Sequence, residues 1–132
     1  MADLELLARL AATLPGVEVT EPGCCGVAGK GMTWTWKERV HPKQARVPNL
    51  GVIAFRTVDV EDKHALIETH PAVCFTEPHY NGYPAVLVRL AEAPAELVAE
   101  LLADAWRRQA PKALSRGFDL DGWLAAAAGV GQ

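Results

Sequence analysis

Nine of the thirteen lysines and arginines fall in two short stretches, and their type and spacing suit phosphate chemistry. A hairpin and loop with five cations could follow a phosphate backbone, because lysine and arginine contacts to phosphate dominate sequence-independent nucleic-acid binding. The five are Lys30, Lys37, Arg39, Lys43 and Arg46, with only Glu38 opposing them. The second group, with no acid among its members, is Arg107, Arg108, Lys112 and Arg116.

Two tryptophans stand inside the first basic stretch. Trp34 and Trp36 alternate with polar residues from position 33 to 37, a period of two that indicates a strand with one buried face. If the two indoles faced outward, they could stack on bases. The interpretation that we favour places them in the core together with Met32 and leaves the charges of the following loop solvated.

A turn-rich segment before a strand carries a second set of candidates for ligand or surface contact: His79, Tyr80 and Tyr83. Loops on a rigid scaffold often carry function, and His79 with Glu77 could form a general acid–base pair. No nucleophile or second catalytic group lies nearby in the sequence. We therefore expect a structural loop held by hydrogen bonds, in which Gly82 takes a positive φ, and a protein that is not an enzyme.

The cysteines and histidines do not form a metal-binding pattern. Cys24 and Cys25 are adjacent, so their side chains point to opposite faces of a strand, whereas zinc motifs need spaced pairs. His64 and His70 are six residues apart on a predicted helix and do not share a face. We expect no cofactor or metal, and buried, inert thiols at these two cysteines and at Cys74.

Length and composition indicate one globular domain. A chain of 132 residues, 50% apolar and 22% charged, buries about two-thirds of its unfolded surface. The net charge of −3 argues mildly against a nucleic-acid binder unless the cations cluster. The first residues lack the basic region of a signal peptide, and no apolar run approaches the roughly 20 residues that span a bilayer. We expect a cytoplasmic protein without membrane contact.

The predicted elements are a helix, four strands, a helix, a strand and two helices. Helices are predicted after the caps Asp3 and Asp59, over 94–110 and, in the tail, over 119–127; strands are predicted over 17–20, 24–28, 32–37, 50–58 and 85–90, with a polar loop over 37–49. Because most strands have no helix between them, the sheet should be largely antiparallel, with helices on one face, in a two-layer α+β sandwich. We place the domain at 1–118 and a tail with a docking helix at 119–132.

An ordered set of residues then points to a family. The set comprises Leu14-Pro15-Gly16, Gly29-Lys30, Pro71 with Phe75, His79-Tyr80-Asn81-Gly82-Tyr83-Pro84 leading into Val86-Leu87-Val88-Arg89-Leu90, Trp106, and Ala110-Pro111-Lys112. It resembles the MmcQ/YjbR family of small bacterial proteins. The resemblance implies a compact α+β fold related in shape to type III secretion chaperones, and DNA binding through a double wing of strands.

The leading functional prediction is weak, largely sequence-independent DNA binding through the basic hairpin and loop. The resemblance supplies most of this prediction, and the clustering of the five cations adds a little. The alternative is a non-enzymatic module that binds a protein partner, in the manner of a chaperone, or a small ligand. The acidic balance and the aromatic loop favour that alternative.

Overall fold

A six-stranded sheet and five α-helices make up the part of the chain that the computed structural model describes, residues 2–38, 43, 45 and 47–128. The helices are α1 Leu4–Ala12, α2 Val60–Thr69, α3 Ala95–Gln109, α4 Lys112–Ser115 and α5 Leu120–Ala128; the strands are β1 Val17–Glu21, β2 Cys24–Val27, β3 Lys30–Glu38, β4 Val47–Arg56, β5 Cys74–Phe75 and β6 Ala85–Arg89. Short 3₁₀ turns cover Pro78–Tyr80 and Leu90–Glu92. The strand order is β1-β2-β3-β4-β6-β5, and each neighbouring pair is antiparallel.

Side-chain caps begin the first two helices as their sequences predict. The Asp3 carboxylate accepts a hydrogen bond from the Leu6 amide at 2.8 Å, and the Asp59 carboxylate accepts one from the Asp62 amide at 2.7 Å. Each cap satisfies an amide that has no partner within its helix. The caps therefore fix where the chain leaves the sheet region and turns into a helix.

The helices cover one face of the sheet. Ile53 and Phe55 from β4 and Val86 and Val88 from β6 pack in the same core cluster as the buried side chains of α1 and α3. Trp106 of α3 is fully buried, and its indole N–H donates to the Pro15 carbonyl at 2.9 Å. The predicted α+β class with a largely antiparallel sheet is confirmed.

A β-bulge in β3 corrects the prediction for the tryptophans. Gly26 pairs with Gly31 and Cys25 with Thr33, so Met32 is an extra residue that interrupts the alternation. Met32 lies in the helix-covered core, whereas Trp34 and Trp36 pack on the opposite face of the sheet. The expectation that all three share the main core was wrong, because the pattern of period two does not continue through the bulge.

Several strand boundaries and one additional strand differ from the sequence prediction. β3 extends to Glu38 and β4 begins at Val47, so the predicted polar loop over 37–49 is shorter at both ends. β5 contains only Cys74 and Phe75, which pair with Val88 and Leu87 of β6. Two residues are too few to show a hydrophobic period, so no sequence pattern indicates this strand.

The predicted helix of the tail is present as α5. Its Trp123 indole N–H donates to the Thr13 hydroxyl at 2.7 Å, and Leu120, Leu124 and Ala127 pack against the main core. None of the helices in the described part of the chain is long and apolar enough to cross a membrane.

Candidate ligand-binding cleft

The face of the sheet that the helices leave open is rich in aromatic rings. Val52 and Ala54 of β4 and Leu87 of β6 form a second buried cluster on this face. Half-buried rings pack over the cluster: Trp34, Trp36, Phe75 and Tyr80. Tyr83, whose side chain is exposed, completes the set. We call these five rings the aromatic face.

A cleft of about 640 Å³ opens at the β3 side of the aromatic face, and we call it the aromatic cleft. Three of the rings line it, Trp34, Trp36 and Tyr80, together with the 55% exposed side chain of Leu50. The remaining lining residues come from the β1–β2 turn, from β3 and from the segment after β5: Glu21, Pro22, Cys24, Thr35, Lys37, Glu77 and His79. Small-molecule sites have this size and this mainly apolar character with a few polar groups.

Edge-to-face contacts hold the rings in place. Trp34 meets Tyr83 with ring centroids 6.4 Å apart and planes at 66°, and Tyr80 meets Tyr83 at 6.2 Å and 86°. Trp36 meets Phe75 at 5.8 Å and 82°. The indole N–H of Trp34 also donates to the Tyr80 hydroxyl at 2.9 Å. None of these pairs stacks face to face, and edge contacts of this kind help to fix the position of each ring.

A buried lysine anchors the segment that carries Tyr80. Lys63 of α2 is fully buried, and its ammonium donates to the Tyr80 carbonyl and, at 3.0 Å, to the Tyr83 carbonyl. Burial lowers the pKa of this ammonium. The structure thus contains the expected hydrogen-bonded loop, but the anchor is a lysine from another element. One signal was available: Lys63 precedes Leu66 and Ile67 at helical spacing, on the apolar side of α2.

Two polar atoms at the wall of the cleft lack partners. The indole nitrogen of Trp36 and one carboxylate oxygen of Glu77 are buried, and neither has a hydrogen bond within the described part of the chain. Buried polar groups are normally satisfied, so each such atom calls for an explanation. Both atoms are buried from solvent, so they lie behind the surface of the cleft and do not face a molecule inside it.

His79 lines the cleft as an exposed residue, without the geometry of a catalytic pair. Within the residues that the structure describes, no hydrogen bond joins His79 to Glu77. Cys24, the thiol of the cleft, has its sulfur 3.9 Å from the Thr35 hydroxyl. A nucleophile is activated by a base within hydrogen-bond reach, and neither Cys24 nor His79 has such a pairing among the described residues.

The other two thiols are buried and unreactive in character. Burial raises the pKa of Cys25, and it raises the pKa of Cys74 to about 11. The described residues contain no group of three potential metal ligands.

Two arginines lie against rings of the aromatic face. The Arg56 guanidinium is 5.1 Å from the Tyr83 ring centroid and donates to the Tyr83 hydroxyl at 2.8 Å. The Arg89 guanidinium is 4.0 Å from the Phe75 centroid. Sequence reasoning missed both residues, since arginines spaced along two strands give no local signal of a shared site.

The basic hairpin and loop can be followed only in part. Lys30, Lys37 and Lys43 are exposed, whereas Arg39 and Arg46 lie outside the described residues. Lys30 and Lys37 are at opposite ends of β3, about 23 Å apart along the strand. Phosphate contact by these residues stays a prediction.

Lys30 lies near the second basic group. The Gln109 side-chain amide at the end of α3 donates to the Gly31 carbonyl at 3.0 Å, next to Lys30. Arg107 and Arg108 precede Gln109 at this end of α3, and Lys112 and Arg116 lie in the segment after it. Of these, Arg107 is 3.5 Å from Asp104 in an ion pair. We call Lys30 and these four residues the basic end.

Comparison with known proteins places the chain in a family. The family model named YjbR matches residues 12–108, which include all six strands of the sheet and all five rings of the aromatic face. The chain belongs to the YjbR family. An uncharacterized protein of Mycobacterium bovis is 37% identical over 124 residues, covering 89% of this chain and 96% of the relative. Uncharacterized proteins of two Mycobacterium tuberculosis strains match to the same extent. No solved structure matches the chain significantly.

Proposed function

We propose that this member of the YjbR family is a non-catalytic binding protein that holds a small organic ligand in the aromatic cleft. The observation that carries the proposal is the cleft itself: about 640 Å³, walled by Trp34, Trp36 and Tyr80 and open to solvent beside Leu50. Its polar groups are few, as is usual where a ligand is oriented by a small number of hydrogen bonds.

The side chains of the cleft favour binding over catalysis. An active site needs a nucleophile or a base whose orientation a further group fixes. The cleft offers Cys24 beside a hydroxyl and an exposed His79, with no hydrogen bond to an acid in the described residues. Rigid rings held by edge-to-face contacts provide shape and apolar area, which are the requirements of recognition.

A fragment screen tests the proposal. Ligand-observed NMR with a library of aromatic, cationic and anionic fragments should give hits whose affinity changes by at least about tenfold with the variant Leu50→Glu, which places a negative charge at the mouth of the cleft and should weaken neutral and anionic hits. Val58→Glu is the matched control, because Val58 is 40% exposed and lines none of the cleft. No hits, or hits that bind both variants equally, would contradict the proposal.

DNA binding is the second candidate, and the basic end supports it. The contact between Gln109 and Gly31 brings the exposed Lys30 of the hairpin towards Arg108, Lys112 and Arg116, which are also exposed. A cluster of this kind suits a phosphate backbone better than Lys30 and Lys37 at opposite ends of one strand. The family resemblance, with its proposed double wing, points the same way.

Two charge-reversal sets separate the two basic surfaces. Fluorescence anisotropy with a labelled duplex at about 50 mM and about 200 mM salt should show affinity falling steeply with salt. We expect Lys30→Glu combined with Lys112→Glu to abolish binding and Lys37→Glu combined with Lys43→Glu to leave most of it. The reverse result would return the site to the predicted loop, and no binding at the lower salt would remove the DNA candidate.

A further inference from the structure

We propose that the aromatic cleft selects an organic cation, of the methylated ammonium class, as its ligand. The inference rests on the proposed function, since it names the chemistry of the ligand in that same cleft. It follows from three independent features: the arrangement of the rings, the behaviour of cations on neighbouring rings, and the charges of the lining side chains.

The rings suit a cation better than a flat aromatic ligand. Trp34, Trp36 and Tyr80 line the cleft, and an edge contact with Tyr83 or Phe75, at 66° to 86°, holds each of them in place. Ring faces attract cations through their negative quadrupole, most strongly in tryptophan. Walls of tryptophan and tyrosine around a cavity are how proteins bind quaternary ammonium groups, whereas base stacking needs an open, flat ring face.

The same face of the sheet already carries cations over its rings. Arg56 lies over Tyr83 and Arg89 over Phe75, with guanidinium-to-centroid distances of 5.1 Å and 4.0 Å. These two rings lie beside the cleft, in edge contact with the three cleft rings. The arginines occupy the outer rings, and the cleft rings face a space that an external cation can enter.

The charges of the lining residues add an electrostatic preference. The described residues that line the cleft include two acids, Glu21 and Glu77, and one lysine, Lys37. The unpartnered Glu77 oxygen is an acceptor without a donor, and a nearby positive charge would offset its burial.

A neutral molecule of the same shape as the cation tests whether the positive charge contributes to binding. Choline and its uncharged carbon analogue 3,3-dimethyl-1-butanol have nearly the same shape, so a difference in affinity reports the charge. Titration at constant ionic strength, followed by calorimetry and tryptophan fluorescence, should show choline binding at least about tenfold more tightly than the analogue. Equal affinity for the two probes, or no binding of choline or tetramethylammonium, would overturn the inference.

Two glutamate variants locate the cation. Glu77→Gln keeps the size of the side chain and removes its charge, and we expect it to weaken choline binding by about three- to tenfold. Glu92→Gln is the control, because Glu92 is exposed and outside the cleft. Choline binding unchanged in both Glu77→Gln and Leu50→Glu would place the cation elsewhere and overturn the inference. Fragment hits of neutral or anionic type that depend on Leu50, with no choline binding, would overturn the cation inference alone and leave the binding function standing.

Discussion

Lys63 connects the buried side of α2 to the segment that forms one wall of the cleft. Its ammonium donates to the carbonyls of Tyr80 and Tyr83, and Tyr80 in turn accepts from the Trp34 indole. Two of the three cleft rings thus depend on one buried charge. A charged group is costly to bury unless its hydrogen bonds are made, so this lysine and the loop stabilise each other.

Replacing Lys63 by methionine should loosen the wall of the cleft. Lys63→Met keeps the aliphatic volume but leaves the two carbonyls without their donor, which should lower the free energy of unfolding by about 1–3 kcal/mol. Urea denaturation measures the loss, and hydrogen exchange should rise over residues 76–84 in particular. Lys112→Met, at an exposed position, is the control. A variant as stable as the wild type, with unchanged exchange, would show that Lys63 is not the anchor.

The buried thiol of Cys74 gives a pH dependence with a defined sign. Burial raises its pKa from 9.0 to about 11, so between these values the unfolded chain loses the proton and the folded chain keeps it. A rise in pH through this window therefore stabilises the unfolded state. The contribution of the Cys74 thiol to the free energy of unfolding is complete below pH 9 and falls by up to about 3 kcal/mol above it.

The measurement is the slope of stability against pH, compared between variants. Cys25 and Lys63 also have shifted pKa values, so the wild-type slope alone does not isolate Cys74. Cys74→Ala should have a smaller fall between about pH 9 and pH 11 than wild type, whereas Cys24→Ala should keep the wild-type slope. Identical slopes in the two variants would show that Cys74 ionises normally in the folded protein.

At the scale of elements, sequence patterns predicted the type of most segments and failed where local geometry interrupts a period. The caps at Asp3 and Asp59 and the positive φ of Gly82 are local effects, and the structure has all three. The bulge at Met32 is set by pairing with β2, which no single-strand pattern contains. For that reason the side of the sheet on which Trp34 and Trp36 lie could not be predicted.

Two glycines at turns allow the cost of backbone strain to be distinguished from the cost of a steric clash. Gly23 and Gly82 have φ values of +83° and +78°, which favour glycine in both cases. A Cβ at Gly23 would lie 2.6 Å from the Ile53 side chain and 3.1 Å from the Thr35 hydroxyl, whereas a Cβ at Gly82 would meet nothing within 4 Å. The two sites therefore share the backbone cost and differ in the steric cost.

Alanine at these two positions should differ clearly in its effect. Gly82→Ala should cost about 1 kcal/mol of stability, from the positive φ alone. Gly23→Ala adds the displacement of Ile53 in the core, so about 2–4 kcal/mol is expected. Chemical denaturation of both variants measures the difference. Equal losses would mean that the β1–β2 turn moves away from β4 without cost.

At the scale of the whole molecule, the fold was more predictable than the site. Helix and strand periods are read over neighbouring residues, and together with the ordered family residues they predict the α+β class that the structure confirms. The aromatic cleft joins Glu21, Trp36 and Tyr80, which are far apart in sequence. Their meeting depends on strand order and on the bulge, so Trp34, Trp36, Tyr80 and His79 were named as candidates without being joined into one site.

The sequence predicts a domain that ends at residue 118 and a tail after it, and this boundary stays a prediction. α5 nevertheless lies against the core through Leu120, Leu124 and Ala127, and its Trp123 bonds to Thr13 just after α1. Leu120 and Leu124 are half-buried, so exposing the apolar area that they share with the core should cost part of the about 1.5–3 kcal/mol of a fully buried large residue for each of them. The helix should therefore belong to the cooperative unit.

Deletion of residues 119–132 tests that expectation against the boundary. The shortened chain should lose about 3 kcal/mol or more in urea denaturation, since the apolar surface that α5 covers becomes exposed. Trp123→Phe is the matched variant: it keeps a large ring and removes the bond to Thr13, so about 1 kcal/mol should be lost. A deletion variant as stable as the full chain would put the end of the domain at 118, because a helix that contributes no free energy to folding is not part of the cooperative unit.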